Sequence, residues 1–261
     1  MDKINQFSLM IEALTELAEE EQAHHTAPAP GLPSLSTVIT EASPLPKEAL
    51  FLGLAEDGLP VLLNLHDPVP GPILITGDQA SGKTTLLQTI AQAVELLHSP
   101  SGVQYCVITQ YTDEWTTFQN KQNNAGIYST QDSTSQELLQ SLVTWAHNNK
   151  GDSQSVLIII DDLEAVTKFD EQAQQNLRWL LLRGPARRVW PIITLNASRA
   201  KNMEAWLGSF RTRLFGRIQD VQDTNLITGN SNHTLSDLTT GSQFTMREGN
   251  NWLNFWAPVI D

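Results

Sequence analysis

Between residues 72 and 218 the chain alternates two patterns. Short unbroken apolar runs give way to longer stretches in which apolar residues return every three or four positions. The unbroken runs read as strands at 73–76, 104–109, 156–160, 191–195 and 214–218. The periodic stretches read as helices at 83–97, 135–148, 171–182 and 203–210. A strand that is apolar throughout has no face to give to water, and strands alternating with helices connect most simply in parallel. The pattern predicts an α/β fold with a mostly parallel central sheet covered by helices on both faces.

Hairpins flank this core. Residues 50–65 turn at Glu56-Asp57-Gly58, and Asp-Gly is a strong hairpin signal. Residues 243–247 and 252–257 lie on either side of Glu248-Gly249-Asn250 and read as a closing hairpin. Near the start, Ile4, Phe7, Met10, Ile11, Leu14, Leu17 and Ala18 keep helical spacing, while Glu12, Glu16 and Glu19 to Glu21 fill the opposite face. This predicts an amphipathic helix over 1–22, packed on its own domain or offered to a protein partner. Residues 23–49, with five prolines, read as a linker or an arm. The folded domain is expected over 50–261.

Two motifs carry chemistry. Gly77-Asp78-Gln79-Ala80-Ser81-Gly82-Lys83-Thr84 fits G-x-x-x-x-G-K-[ST], with a strand before it and a helix, opening at Thr85, after it. The glycines let the backbone come close to phosphate, and successive N–H groups with the helix N-terminus make an anion nest. Lys83 then places a charge on the β- and γ-phosphates of ATP, and Thr84 offers its hydroxyl to Mg²⁺. The second motif is the buried strand 156–160 ending in Asp161-Asp162. Asp161 is the expected Mg²⁺ carboxylate. Asp162 stands where a hydrolytic member carries the acid that polarises water, though an acidic helix cap is the other use for an Asp here. Asn196 ends the strand 191–195 and reads either as a γ-phosphate sensor or as a turn former.

Charge complicates this picture. The chain has 261 residues, 16 Lys+Arg against 29 Asp+Glu, and a net charge of -13. Such an average argues against nucleic acid, which needs clustered Lys and Arg. The charge is uneven, however. Over 178–217, nine basic residues face one acid, Glu204, a local +8; the remaining 7 basic and 28 acidic residues give -21. Eight of the nine are Arg, suited to planar contacts with phosphate or carboxylate. The segment reads as a subunit interface, as the source of an arginine finger, or as a face for double-stranded DNA. The single cysteine, Cys106, excludes an internal disulfide and a multi-cysteine zinc site. No apolar run is long enough to span a bilayer, so no membrane contact and a cytoplasmic location are expected.

With these motifs placed, the region from about Leu52 onward resembles the FtsK/HerA group of P-loop ATPases. The resemblance rests on the hairpin Leu52-Gly53-Leu54-Ala55-Glu56-Asp57-Gly58, on Gly71-Pro72-Ile73-Leu74-Ile75-Thr76-Gly77 running into the loop, on Trp190 to Arg199, and on Arg211-Thr212-Arg213-Leu214. It implies a RecA-like fold, ATP and Mg²⁺, a homo-oligomeric hexameric ring, and translocation of double-stranded DNA. By position it implies Asn196 as the sensor and Arg213 as an arginine acting at a neighbour's nucleotide. Two groups depart from the group's usual pattern: Asp162 stands for Glu, and Asn196 for Gln, each shorter by one methylene. A displacement of about 1 Å can cost about a hundredfold in rate, which keeps a nucleotide-gated scaffold with weak hydrolysis as the alternative reading.

Overall fold

The computed structural model describes residues 31–149, 154–229, 234–248 and 251–261. Residues 33–261 form one unit by their contacts, and that unit is described below. The amphipathic helix expected over 1–22 lies outside the described residues.

In chain order the strands are β1 (Ala49–Ala55), β2 (Pro60–Asn64), β3 (Ile73–Gly77), β4 (Val103–Thr109), β5 (Asn124–Ser129), β6 (Ser155–Asp161), β7 (Val189–Asn196), β8 (Thr212–Phe215), β9 (Gln243–Glu248) and β10 (Asn251–Trp256). The α-helices are α1 (Leu35–Ala42), α2 (Lys83–Leu97), α3 (Ser133–Asn148), α4 (Leu163–Val166), α5 (Glu171–Arg183), α6 (Glu204–Leu207) and α7 (Val221–Thr228). The strands make one sheet in the order β2-β1-β10-β9-β8-β3-β7-β6-β4-β5. From β8 through β3, β7, β6 and β4 to β5 the pairing is parallel, and from β8 through β9, β10 and β1 to β2 it is antiparallel.

The unbroken apolar runs are the central strands. Every residue of β3 and six of seven in β6 are buried, because helices cover both faces. On one face Leu74, Ile158 and Ile193 pack with Leu139 and Leu142 of α3 and Leu177 and Leu180 of α5. On the other, Ile73, Ile75, Ile159 and Ile192 pack with Leu86, Leu87 and Ile90 of α2. Trp190, from the basic segment, is buried in this second layer.

Five elements depart from the sequence expectation. The stretch 23–49, read as linker or arm, contains α1. Ser34 caps it, and Leu35, Val38 and Ile39 bury against Phe51 and Ala93. Three apolar residues at i, i+3 and i+4 suffice for one helical face, but prolines on both sides hide the period. Strand β5 was not expected; it is a sheet edge, half-buried and half-polar, with a single strand neighbour. Helix α7 has only Val221, Leu226 and Ile227 as apolar residues, and of these only Ile227 is buried. The helix is set by its ends, the Asp220 carboxylate accepting from Gln222 and Asp223 N–H and Gly229 closing it at φ 75. The helix expected over 203–210 is only the four residues of α6, preceded by a 3-10 turn over Ala197–Met203. Strand β8 also stops at Phe215, short of the expected 218, because the Arg217 carbonyl turns to accept from Asp78 N–H at 2.9 Å.

Candidate functional site

Parallel strands bring their carboxyl ends to one edge of a sheet, and ligands bind beyond that edge. Here Gly77 pairs with Asn196 and Ile160 with Ile193, so the ends of β3, β6 and β7 come level. Gly77, Asp78, Gln79, Ala80, Ser81, Gly82, Lys83, Thr84 and Thr85 form the turn from β3 into α2. Ala80 at φ 60 and Gly82 at φ 91 hold left-handed conformations that converge backbone N–H groups on the concave side. Helix α2 starts without a side-chain cap, so its first N–H groups remain available to an anion.

Lys83 Nζ donates to two carbonyls of the same turn, Gly77 O at 3.1 Å and Asp78 O at 2.6 Å. Burial pulls its ammonium below the ordinary lysine range, while Asp161, Asp78 and Asp162 hold it up. Thr84 Oγ1 donates to Asp161 Oδ2 at 2.8 Å, and Thr194 Oγ1 to Asp161 Oδ1 at 2.7 Å. Thr194 in turn accepts from Asp162 N–H at 2.8 Å. Both Asp161 oxygens are therefore aimed by hydroxyls, a role for Thr194 that the sequence reading missed. Its only signal was a polar residue inside an apolar strand. The Thr84–Asp161 pair fits Mg²⁺, which takes one or two protein oxygens and fills its remaining positions with water and phosphate oxygens. Among the described residues there is no group of three or more His, Cys, Asp and Glu able to hold a metal ion alone.

The other expected catalytic groups are engaged locally. Asp162 caps α4, its carboxylate accepting from Glu164 N–H at 2.9 Å, with its own backbone at φ 87. Such a backbone is strained for a non-glycine residue and collects at functional sites. Asn196 Oδ1 accepts from Ser198 N–H at 3.2 Å and Ser198 Oγ at 3.0 Å, the geometry of a turn former. Arg213 lies opposite Leu74, towards the amino end of β3 and away from the loop. Its guanidinium donates to Ile227 O and Leu207 O, both at 2.7 Å, tying down the last turns of α7 and α6. Burial lowers its pKa, and Arg247 adds to the effect. Arg213, Arg211 and Arg247 line a cavity of about 320 Å³ with Phe210 and Phe215. Glu114, not singled out in the sequence, has its carboxyl pKa raised by burial and further by the Asp161 charge, while its backbone carbonyl accepts from Gln88 Nε2 at 2.8 Å.

Asp162 gives a stability test. Burial lifts its carboxyl above 3.8, with Glu164 and Asp161 adding and the Glu164 N–H and Lys168 opposing. The folded value exceeds the unfolded one, so the folded chain holds the extra proton from near 3.8 up to the raised value. Stability from this group therefore falls as pH rises through that window. Asp162→Asn keeps a cap and loses the charge, so its Tm at pH 7 should equal or exceed that of the parent, with a flatter pH profile. Asp162→Ala loses the cap, at a cost of about 1 kcal/mol. Thermal melts at pH 4, 5 and 7 check both variants.

The basic segment is not one patch. Arg183, Arg187 and Arg188 precede β7 and Arg211 precedes β8, at the amino ends of the strands. Arg199, Lys201 and Arg217 follow those strands, at the carboxyl edge. Arg199 pairs with Glu164 at 3.4 Å, Arg188 Nη1 donates to Leu65 O, and Arg178 lies 3.8 Å over the Trp206 ring.

The sheet order, the glycine turn and the Thr84–Asp161 pair together make the α/β, RecA-like fold of the P-loop NTPases. Within that class the fold is that of the FtsK-like P-loop ATPases. EssC (ATPases 2 and 3) from Geobacillus thermodenitrificans matches with a TM-score of 0.73 at 14% identity, over 90% of this chain and 48% of that one. The pCW3 conjugation coupling protein TcpA matches with a TM-score of 0.66 at 14% identity, over 91% of this chain and 72% of that one. A third structure, Thermomonospora curvata EccC (ATPases 2 and 3) in complex with a signal sequence peptide, gives 0.65 at 15% identity, over 91% and 43%. The chain spans about half or less of the EssC and EccC chains it matches. No protein-family model and no curated protein matches the sequence. No helix among the described residues is long and apolar enough to cross a membrane.

Proposed function

We propose that this chain binds ATP with Mg²⁺ at the turn Gly77 to Thr85, hydrolyses it, and works as a motor domain in a cytoplasmic homo-oligomeric ring, hexameric by its resemblance to the FtsK/HerA group. The observation that carries the reading is the 2.8 Å hydrogen bond from Thr84 to Asp161, which joins the two motifs at the edge where a triphosphate would lie. A bound Mg²⁺ supplies charge neutralisation at the β- and γ-phosphates. Lys83 exchanges the carbonyls of Gly77 and Asp78 for phosphate oxygens, and Thr194 keeps Asp161 aimed. Asp162, which follows β6 directly after Asp161, is the carboxylate assigned to orient a water.

The polymer proposed is double-stranded DNA. Its support is the resemblance together with the cations Arg199 and Lys201 at the carboxyl edge. The second reading, a nucleotide-gated assembly with weak hydrolysis, is favoured by one specific set of contacts: Asp162, Asn196 and Arg213 are all held by their own chain. ATP turnover with and without duplex DNA, alongside particle mass with and without ATP·Mg²⁺, separates the two. Turnover that rises on adding DNA supports the motor. A mass that changes with nucleotide while turnover stays at background supports the assembly protein. A chain that binds no ATP sinks both.

A further inference from the structure

The sheet order sets β8 on one side of β3, and β7 and β6 on the other. Thr84 and Asp161, the groups suited to Mg²⁺ and the outer phosphates, meet on the β7–β6 side. A nucleotide with its β- and γ-phosphates there sends its nucleoside out over the β8 side.

On that side two segments close against the phosphate turn. After β8, Gly216 N–H donates to Thr76 O at 2.8 Å, Asp78 N–H to Arg217 O at 2.9 Å, and Gln219 N–H to Asp78 Oδ2 at 2.8 Å. Residues 239–242 then come over the same edge. Gly241 N–H donates to Ser81 O at 3.3 Å, and Arg217 Nη1 donates to Thr240 Oγ1 at 3.1 Å. Gly241 lies so near the turn that a methyl group on Gly82 would meet its carbonyl oxygen at 2.5 Å.

Three buried polar atoms at this junction have no hydrogen-bond partner among the described residues: Ser81 Oγ, Arg217 Nε and Ser242 Oγ. An orphaned buried polar atom is costly, so a cluster of them beside a binding turn calls for a partner. The surrounding charge narrows what that partner is. Asp78, whose Oδ2 accepts from Gln219 N–H, and Asp220 and Asp223 at the start of α7 flank the site; burial raises the Asp223 carboxyl, and Asp220 and Asp78 raise it further. A further phosphate is disfavoured among these carboxylates, whereas ribose hydroxyls and a neutral base are not.

We propose that Arg217 and residues 239–242 form the nucleoside end of the nucleotide site, with the Arg217 guanidinium stacking on and donating to the base and with Thr240 orienting it. This rests on the reading of the turn Gly77 to Thr85 as the triphosphate site. A planar guanidinium suits both contacts, and a lysine at 217 would supply only the charge.

The test compares ATP with inorganic tripolyphosphate, each titrated in the presence of Mg²⁺. Tripolyphosphate fills the phosphate turn and has no nucleoside. Arg217→Ala should weaken ATP binding about tenfold, the loss of one charge-assisted contact, and leave tripolyphosphate unchanged. Thr240→Val, at an exposed position where folding is retained, should weaken ATP several-fold with tripolyphosphate again unchanged. ATP affinity untouched in both variants overturns the proposal. So does an equal loss for the two ligands, and so does a parent chain that binds ATP no tighter than tripolyphosphate. A parent chain that binds neither ligand overturns instead the reading of the phosphate turn itself.

Discussion

Lys83→Ala is expected to lower ATP affinity by about a hundredfold or more, about 2.7 kcal/mol, as two charge-assisted hydrogen bonds to phosphate oxygens disappear. The fold should tolerate the change. Among the described residues the half-buried ammonium donates to Gly77 O and Asp78 O, both on the turn, where water can replace it. Titration calorimetry with ATP·Mg²⁺, beside a thermal melt, reads both quantities. A variant that binds ATP like the parent removes Lys83 from the site. A variant that loses binding only because its Tm collapses would instead make Lys83 a structural residue.

Gly82→Ala should be costly in two ways at once. Its φ of 91 charges any side chain about 1–2 kcal/mol, and the new methyl would press on the Gly241 carbonyl. Together these should exceed about 3 kcal/mol, a fall in Tm of roughly 6–12 °C for a unit of this size. Gly58→Ala is the control. Gly58 has a similar φ of 82, but nothing lies within 4 Å of its added methyl, so it carries the conformational cost alone. A Tm equal in the two variants would mean that residues 239–242 yield freely. A larger fall for Gly82, with ATP binding weakened, ties that segment to the phosphate turn.

The sequence made the centre of this molecule readable and left its margins obscure, for one physical reason. Central strands are buried on both faces, so β3, β6 and β7 announce themselves as unbroken apolar runs, and the phosphate turn and Asp161 follow from their ends. At the margin, α1 needs only Leu35, Val38 and Ile39, β5 has one strand neighbour, and α7 is fixed by its caps. None of these leaves a long pattern. Position was also easier to read than occupation. Asp162 and Asn196 follow and end the strands from which they were read, but spacing could not show that Glu164 N–H and Ser198 engage them, nor that Arg213 lies away from the loop and ties down the last turns of α6 and α7. The +8 segment misled for a related reason. It is contiguous in sequence, but β7 carries the chain about 26 Å through the sheet, setting its arginines at opposite ends.

The place of the closing hairpin bears on how this domain is made. β9 and β10 lie between β8 and β1, so the first hairpin reaches the parallel core through strands that come last in the chain. Leu35 N–H donates to Val259 O, and Ser36 bonds Asp261, which closes the same seam. During synthesis β1 and β2 must therefore wait, as a pair with one open edge, until residues 243–256 leave the ribosome. An unpaired strand edge invites the wrong neighbour. The apolar β1, with Leu50, Phe51 and Leu52 all destined for burial, is where a nascent or truncated chain should be most exposed to aggregation.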